Sequence, residues 1–204
     1  MRKFILTAIL SILVTNAICA QDHHFTTQKS VIVTKTGEIM GQEVITKTYS
    51  DDYGDKFAEY TIVPLYENGM RRDSVISWTT VKGNQSVIIN NIKKTKTDPV
   101  QHERINFQNL SDDIIKKYHI KKRGEDEICG KPCTIYSITS RGNGKRTKAI
   151  VWIWNGVSLR KQISSFPINM DYIATDIEVD VDIDPSVFIV PDYTIENPAA
   201  RTTE

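Results

Sequence analysis

Between Ser30 and Tyr193 the chain is a series of short runs rich in β-branched and aromatic residues, each closed by a turn signal. SVIVTKTG stops at Gly37, EVITKTYS alternates before the turn DDYGD, and KFAEYTIV resumes before Pro64. SVISWTTV and SVIINNI flank KGNQ, CTIYSITS and KAIVWIW flank RGNG, and Asn155-Gly156 separates KAIVWIW from VSLRKQIS. An Asn-Gly pair between apolar runs is a strong short-range hairpin signal, because both central residues of a type I′ turn need positive φ. The pattern gives roughly nine to eleven strands. Strands joined by such short links pair antiparallel, so the expected class is mainly β with a minor α component (α+β).

One segment reads as helix. In LSDDIIKKYHI, residues 110–120, Ser111 is an N-cap and Asp112 and Asp113 lie in the first turn. Lys116 and Lys117 follow toward the other end, and Leu110, Ile114, Ile115 and Tyr118 form one apolar stripe. The stripe is expected to lie on a sheet.

The first twenty residues, MRKFILTAILSILVTNAICA, have a basic start, a short apolar core and small residues after it. That is the pattern of a secretory signal peptide cut after Ala20. A membrane span needs roughly 20 apolar residues, and Thr7, Ser11, Thr15 and Asn16 interrupt this one. Cys19 offers a second route, lipidation of its thiol, although Ile18 before it is larger than such sites prefer. The formal net charge is +1, and it becomes −1 once Arg2 and Lys3 leave. A near-neutral chain has no electrostatic reason to bind nucleic acid. The expected layout is a signal peptide at 1–20, a flexible polar segment at 21–29, one domain at 30–195 and a tail at 196–204. A monomer is expected.

Cys129 and Cys133 remain, in EICGKPCTIY. In an oxidising compartment a local disulfide is the favoured reading, with Gly130, Lys131 and Pro132 as a tight turn between them. A free thiol pair, or a metal or redox pair, is the rival, and C-x-x-x-C in a strand-rich setting fits the redox motif poorly.

Catalytic patterns are weak. His102 and His119 are isolated, and no nucleophile, metalloprotease or phosphate-loop motif occurs. His23 and His24 lack accompanying ligands for a metal. Asp176, Glu178, Asp180, Asp182 and Asp184 alternate with Ile177, Val179, Val181 and Ile183. A straight strand spaces same-face carboxylates too widely for calcium, so a solvated outer face is expected. No metal, cofactor or enzymatic activity is expected. The basic clusters NIKKTKTDP and IKKYHIKKR read as solvated faces, with attraction to anionic lipid surfaces as the functional alternative.

The tryptophans are the sharpest functional signal. Trp152 and Trp154 share one face of a strand whose other face is also apolar. Core packing is the plain explanation. The functional one is a curved sheet whose concave face encloses an apolar guest. On that reading Trp152, Trp154, Ile150, Ile76 and Trp78 line the ligand site.

Three stretches resemble the LolA-like superfamily, the periplasmic lipoprotein carriers and their relatives. They are GEDEICGKPCTIYSIT, VWIWNGVSLR and ATDIEVDVDIDPSVFIVPDYTI; TKTYSDDYGDKFAEYT is similar to a segment of secreted relatives. The resemblance implies a single curved antiparallel sheet forming a half-open β-barrel, with one or two covering helices over a concave side that holds acyl chains. It implies no catalytic residues. The long N-terminal helix of true carriers has little room before Ser30, and no partner-docking residues carry over. The functional expectation is a periplasmic protein, exported across the inner membrane, that holds a lipid or lipoprotein acyl chain. The alternative is a cell-envelope module that binds an outer-membrane or other envelope protein and no small molecule.

Overall fold

A computed structural model of the chain describes residues 24–39, 42–67, 70–81, 85–101, 103–142, 145–165 and 168–195. The expected signal peptide, Cys19, His23, His102, the tail after 195 and the tips of five hairpins lie outside the described residues. So do the side chains of Ile76 and Trp78.

The strands are β1 (Val31–Ile39), β2 (Gln42–Asp51), β3 (Lys56–Glu67), β4 (Met70–Val81), β5 (Gln85–Asn90), β6 (Thr95–Lys96) and β7 (Val100–Gln101). After the single α-helix among the described residues, α1 (Asp112–Tyr118), come β8 (Lys121–Ile128), β9 (Lys131–Gly142), β10 (Lys145–Trp154), β11 (Val157–Ser165) and β12 (Ile168–Val179), then β13 (Thr194–Ile195). They form one sheet in the order β13-β6-β5-β4-β3-β2-β1-β12-β11-β10-β9-β8, with β7 also on β5. Two meanders, β1–β5 and β8–β12, are thus joined edge to edge by antiparallel pairing of β1 with β12. The outermost strands β13 and β8 do not meet, so the sheet is curved and half-open rather than closed. Among the described residues only β13 and β6 pair in parallel.

Irregularities in the ladder bend the sheet. Register shifts occur between Thr34 and Lys35 on β1, Trp152 and Ile153 on β10, and Lys122 and Gly124 on β8. Each extra residue increases the local twist. Gly37 does not end β1 as its residue type implied. It lies inside the strand opposite Tyr172, where a Cβ would come within 2.1 Å of the Asp171 carbonyl oxygen. Glycine in a strand interior often marks such a close approach. Pro64 likewise lies within β3, beyond Ile62, where the β2 ladder has ended and no backbone donor is required on that side.

Helix α1 follows its sequence closely. Ser111 caps it by accepting from the Ile114 amide, and His119 ends it with φ of 46°. Its stripe residues are only half-buried, against β9. Beyond β12 the chain forms a 3-10 turn at Pro185–Phe188, where Pro185 has no amide to offer a ladder. This arm crosses the outer face of β3 and β4, where the Tyr60 hydroxyl donates to the Val187 carbonyl at 2.9 Å. The acidic row is exposed, while Ile177 and Val179 pack on the core; the strand ends at Val179.

The cysteines form no disulfide. Ile128 pairs with Lys131, so the turn is Cys129-Gly130, with φ of 51° and 69° at its two positions. Lys131 and Pro132 already belong to β9. Cys133 is buried in the core, whereas Cys129 is exposed and its thiol donates to the Ala174 carbonyl at 3.2 Å. Burial pushes the Cys133 thiol up to about 11.

Candidate binding cavity

The cavity follows from strand alternation. On β1, Val31, Val33 and Lys35 point to the concave side. The ladder places Ser50 and Thr48 of β2 opposite the two valines, and Phe57 and Glu59 of β3 opposite those. Across the other meander, Tyr172, Lys161 and Val151 lie in one row. These side chains bound a cavity of about 460 Å³. That is within the roughly 300–1,000 Å³ usual for small-ligand sites.

Two irregular segments roof it. Residues 24–29 were expected to be loosely ordered, yet Thr26 is buried and this strap is bonded down. The Phe25 and Thr26 amides donate to the Tyr53 carbonyl at 3.0 and 3.1 Å, and the Thr27 amide donates to that of Asn155 at 3.4 Å. The strap rests on two turn glycines. A Cβ at Gly54 would meet Phe25 Cβ at 2.7 Å, and one at Gly156 would meet the Phe25 carbonyl oxygen at 1.9 Å. The second segment is the crossover between meanders, which brings Glu103, Arg104, Ile105 and Phe107 over the opening.

Arg104 joins the two roof segments. Its guanidinium lies 4.0 Å from the Phe25 ring centroid and 4.5 Å from that of Phe57, and Nη1 donates to the Gly54 carbonyl at 2.6 Å. Burial pulls its pKa down to about 10, opposed by the nearby Asp55 charge. The Glu103 carboxylate accepts from Lys117 and from the Tyr118 hydroxyl, tying the roof to α1. Those bonds hold it below the usual carboxylate range.

The floor is ionic at one end. Lys35 is 4 % exposed. Its Nζ donates to Thr48 Oγ1 at 3.1 Å, and Thr48 Oγ1 donates to Glu59 Oε2 at 3.3 Å. Desolvation lowers the Lys35 pKa; the Glu59 charge opposes this and Lys161 adds to it. Tyr172 beside it is held protonated, chiefly by burial and secondarily by Glu59.

The residues expected to line the site divide differently. Val151 and Ile153 line the cavity, and the alternation sends their neighbours elsewhere. Trp152 and Trp154 belong to the buried cluster with Ile128, Cys133, Leu159, Ala174 and two residues of the cavity wall, Val31 and Val33. Trp152 Nε1 donates to Asp126 Oδ2 at 3.0 Å, the Arg160 guanidinium lies 4.7 Å from its ring, and Lys131 Nζ lies 5.0 Å from the Trp154 ring. The two apolar faces of β10 are therefore both used, one as cavity wall and one as core. Ile150 is exposed on the tryptophan side, outside the lining. Ile76 and Trp78 pair with Thr61 and Glu59 across β4 and β3, and their side chains lie outside the described residues. Sequence reasoning missed Lys35, Thr48, Glu59 and the 103–107 roof. For Lys35 the signal was present, since it shares the two-residue phase of Val31 and Val33.

No family model matches the chain, and no curated protein does. Among solved structures it is similar to an uncharacterized conserved protein from Thermus thermophilus (10 % identity, 93 % of this chain and 98 % of that one, TM-score 0.49). It is similar to the MucA/MucB complex of Pseudomonas aeruginosa (14 % identity, 79 % and 56 %, TM-score 0.45). It is similar also to a putative outer membrane lipoprotein-sorting protein domain from Vibrio parahaemolyticus (11 % identity, 78 % and 88 %, TM-score 0.34). The chain spans little more than half of the MucB chains. These are likenesses only; the architecture above stands on strand order and register.

Proposed function

We propose that this chain is a non-catalytic binding protein that holds the acyl chain of a lipid or lipoprotein in the cavity of its curved sheet. The observation that carries the reading is the roofed hollow of about 460 Å³, walled by apolar side chains from both meanders. Each acyl CH₂ moved there from water contributes about 0.8 kcal/mol, so a chain of moderate length binds without directional contacts. The leader-like start of the sequence supports work in the cell envelope after export. Native mass spectrometry of protein purified gently from its own host tests the proposal. Co-purifying lipid supports it, and a clean apo mass under conditions that retain lipid on a control carrier refutes it.

A second reading, an envelope module that binds another protein, is supported by a different surface. Ile88, Ile92, Val100 and Ile195 are exposed near the β5–β7 and β13 end of the sheet. Pull-down of an envelope protein lost on Ile88→Glu but retained when the cavity is filled favours this reading over the first.

A further inference from the structure

The floor of the cavity is not what an apolar guest alone requires. A lysine with 4 % exposure is costly to keep charged, and core positions seldom hold one without close partners. Lys35 has a core position's burial yet lines the cavity. Its ammonium has three donors, and among the described residues one is used, by Thr48 Oγ1. The Tyr172 ring centroid is 6.0 Å away, too far for more than a weak contribution. Glu59 is reached through Thr48, not directly.

The charges on the wall do not balance. Lys35, Lys161 and Arg104 face Glu59 and Glu103, and the Glu103 carboxylate is already engaged by Lys117 and Tyr118 of α1. Arg104 is committed to the roof between two rings. That leaves two ammonium groups and one carboxylate at the floor. A negative group placed between Lys35 and Lys161 would take up the remaining donors and relieve their mutual repulsion. Beside it run the apolar side chains of Val31, Val33, Val151 and Ile153.

Resting on the acyl-binding reading above, we infer that the guest is a single-chain amphiphile with an anionic head, carboxylate or phosphate monoester, and that Lys35 and Lys161 hold that head at the cavity floor. The chain then lies along the valine and isoleucine wall beneath Phe57 and the roof. Hydrogen bonds to charged groups are stronger than neutral ones, so the head adds selectivity that the chain alone lacks.

Calorimetric titration of the delipidated protein with palmitate, palmitoyl lysophosphatidic acid and uncharged 1-hexadecanol tests this. Wild type is expected to bind at least one of the two anions about ten- to hundredfold more tightly than the alcohol. The stronger anion identifies the head as carboxylate or phosphate. Lys35→Met removes the buried charge at nearly constant volume and is expected to bring anion and alcohol to similar affinity, with Lys161→Gln showing a smaller loss of the same kind. Equal binding of anion and alcohol by wild type, or a preference unchanged in both variants, overturns the head-group inference while leaving acyl binding intact. Binding of none of the three overturns both.

Discussion

Two glycines give a matched test of how the roof is held. Gly130 and Gly156 each occupy the second position of a two-residue hairpin turn, with φ of 69° and 85°. An alanine at either position carries the left-handed penalty of about 1–2 kcal/mol. They differ in what a Cβ meets. At Gly130 nothing lies within 4 Å, whereas at Gly156 the Phe25 carbonyl oxygen is 1.9 Å away and Gln108 Cγ 3.1 Å. Gly156→Ala must therefore also displace the strap, which is fastened by the amides of Phe25, Thr26 and Thr27. Loss of two such bonds costs about 1–3 kcal/mol at about 0.5–1.5 kcal/mol each. The expected costs are thus about 1–2 kcal/mol for Gly130→Ala and about 2–5 kcal/mol for Gly156→Ala. At about 2–4 °C per kcal/mol for a domain of this size, Gly156→Ala should melt about 2–12 °C below Gly130→Ala. Parallel thermal melts by circular dichroism read this, and amide exchange at residues 25–27 should accelerate in the Gly156 variant alone. Equal melting points with unchanged exchange would refute the strap contact.

Other outcomes follow from the buried groups. The folded-state pKa of Lys35 is depressed, so between that value and the unfolded value of about 10.4 the unfolded chain holds a proton that the folded chain lacks. Stability should rise with pH across that window, and denaturant titrations should show a shallower rise in Lys35→Met than in wild type. In a Cys19→Ser background a thiol reagent should modify one residue, Cys129, in the native state at pH 8, and Cys133 only after denaturation, since Cys133 is buried with its pKa near 11. Two rapid modifications, or none in either state, would contradict that placement. Leu159→Ala should cost about 2–5 kcal/mol in a urea titration, because Leu159 is fully buried in the core cluster.

Local structure was readable where the signal is local. Asn155-Gly156 makes its turn with φ of 46° and 85°, Ser111 caps α1, and Ile177 and Val179 turn inward while their acidic neighbours face out. These outcomes depend on residues a few positions apart. The cavity does not. It needs β1 paired with β12, nearly the whole chain apart, and the register of that pairing decides which of Val151 and Trp152 faces the hollow. Both are apolar, so hydrophobicity could not choose between them. The polar strap and crossover gave no periodicity, although Phe25, Arg104 and Phe57 interlock once the strands are in place. The cysteine turn was misread for a related reason. Gly-Lys-Pro resembles a turn, yet the I′ pair is Cys129-Gly130.

The central claim is that the concave side of β10, not its tryptophan side, encloses the guest. Titration of a fluorescent acyl probe into wild type, Val151→Phe and Ile150→Phe tests it directly, with melts confirming that both variants fold. Val151 lines the cavity and its neighbour Ile150 lies outside it. Val151→Phe should weaken probe binding by tenfold or more, on the order of 1.4 kcal/mol, while Ile150→Phe leaves it unchanged. Binding that survives Val151→Phe, or is lost on Ile150→Phe, would contradict the account.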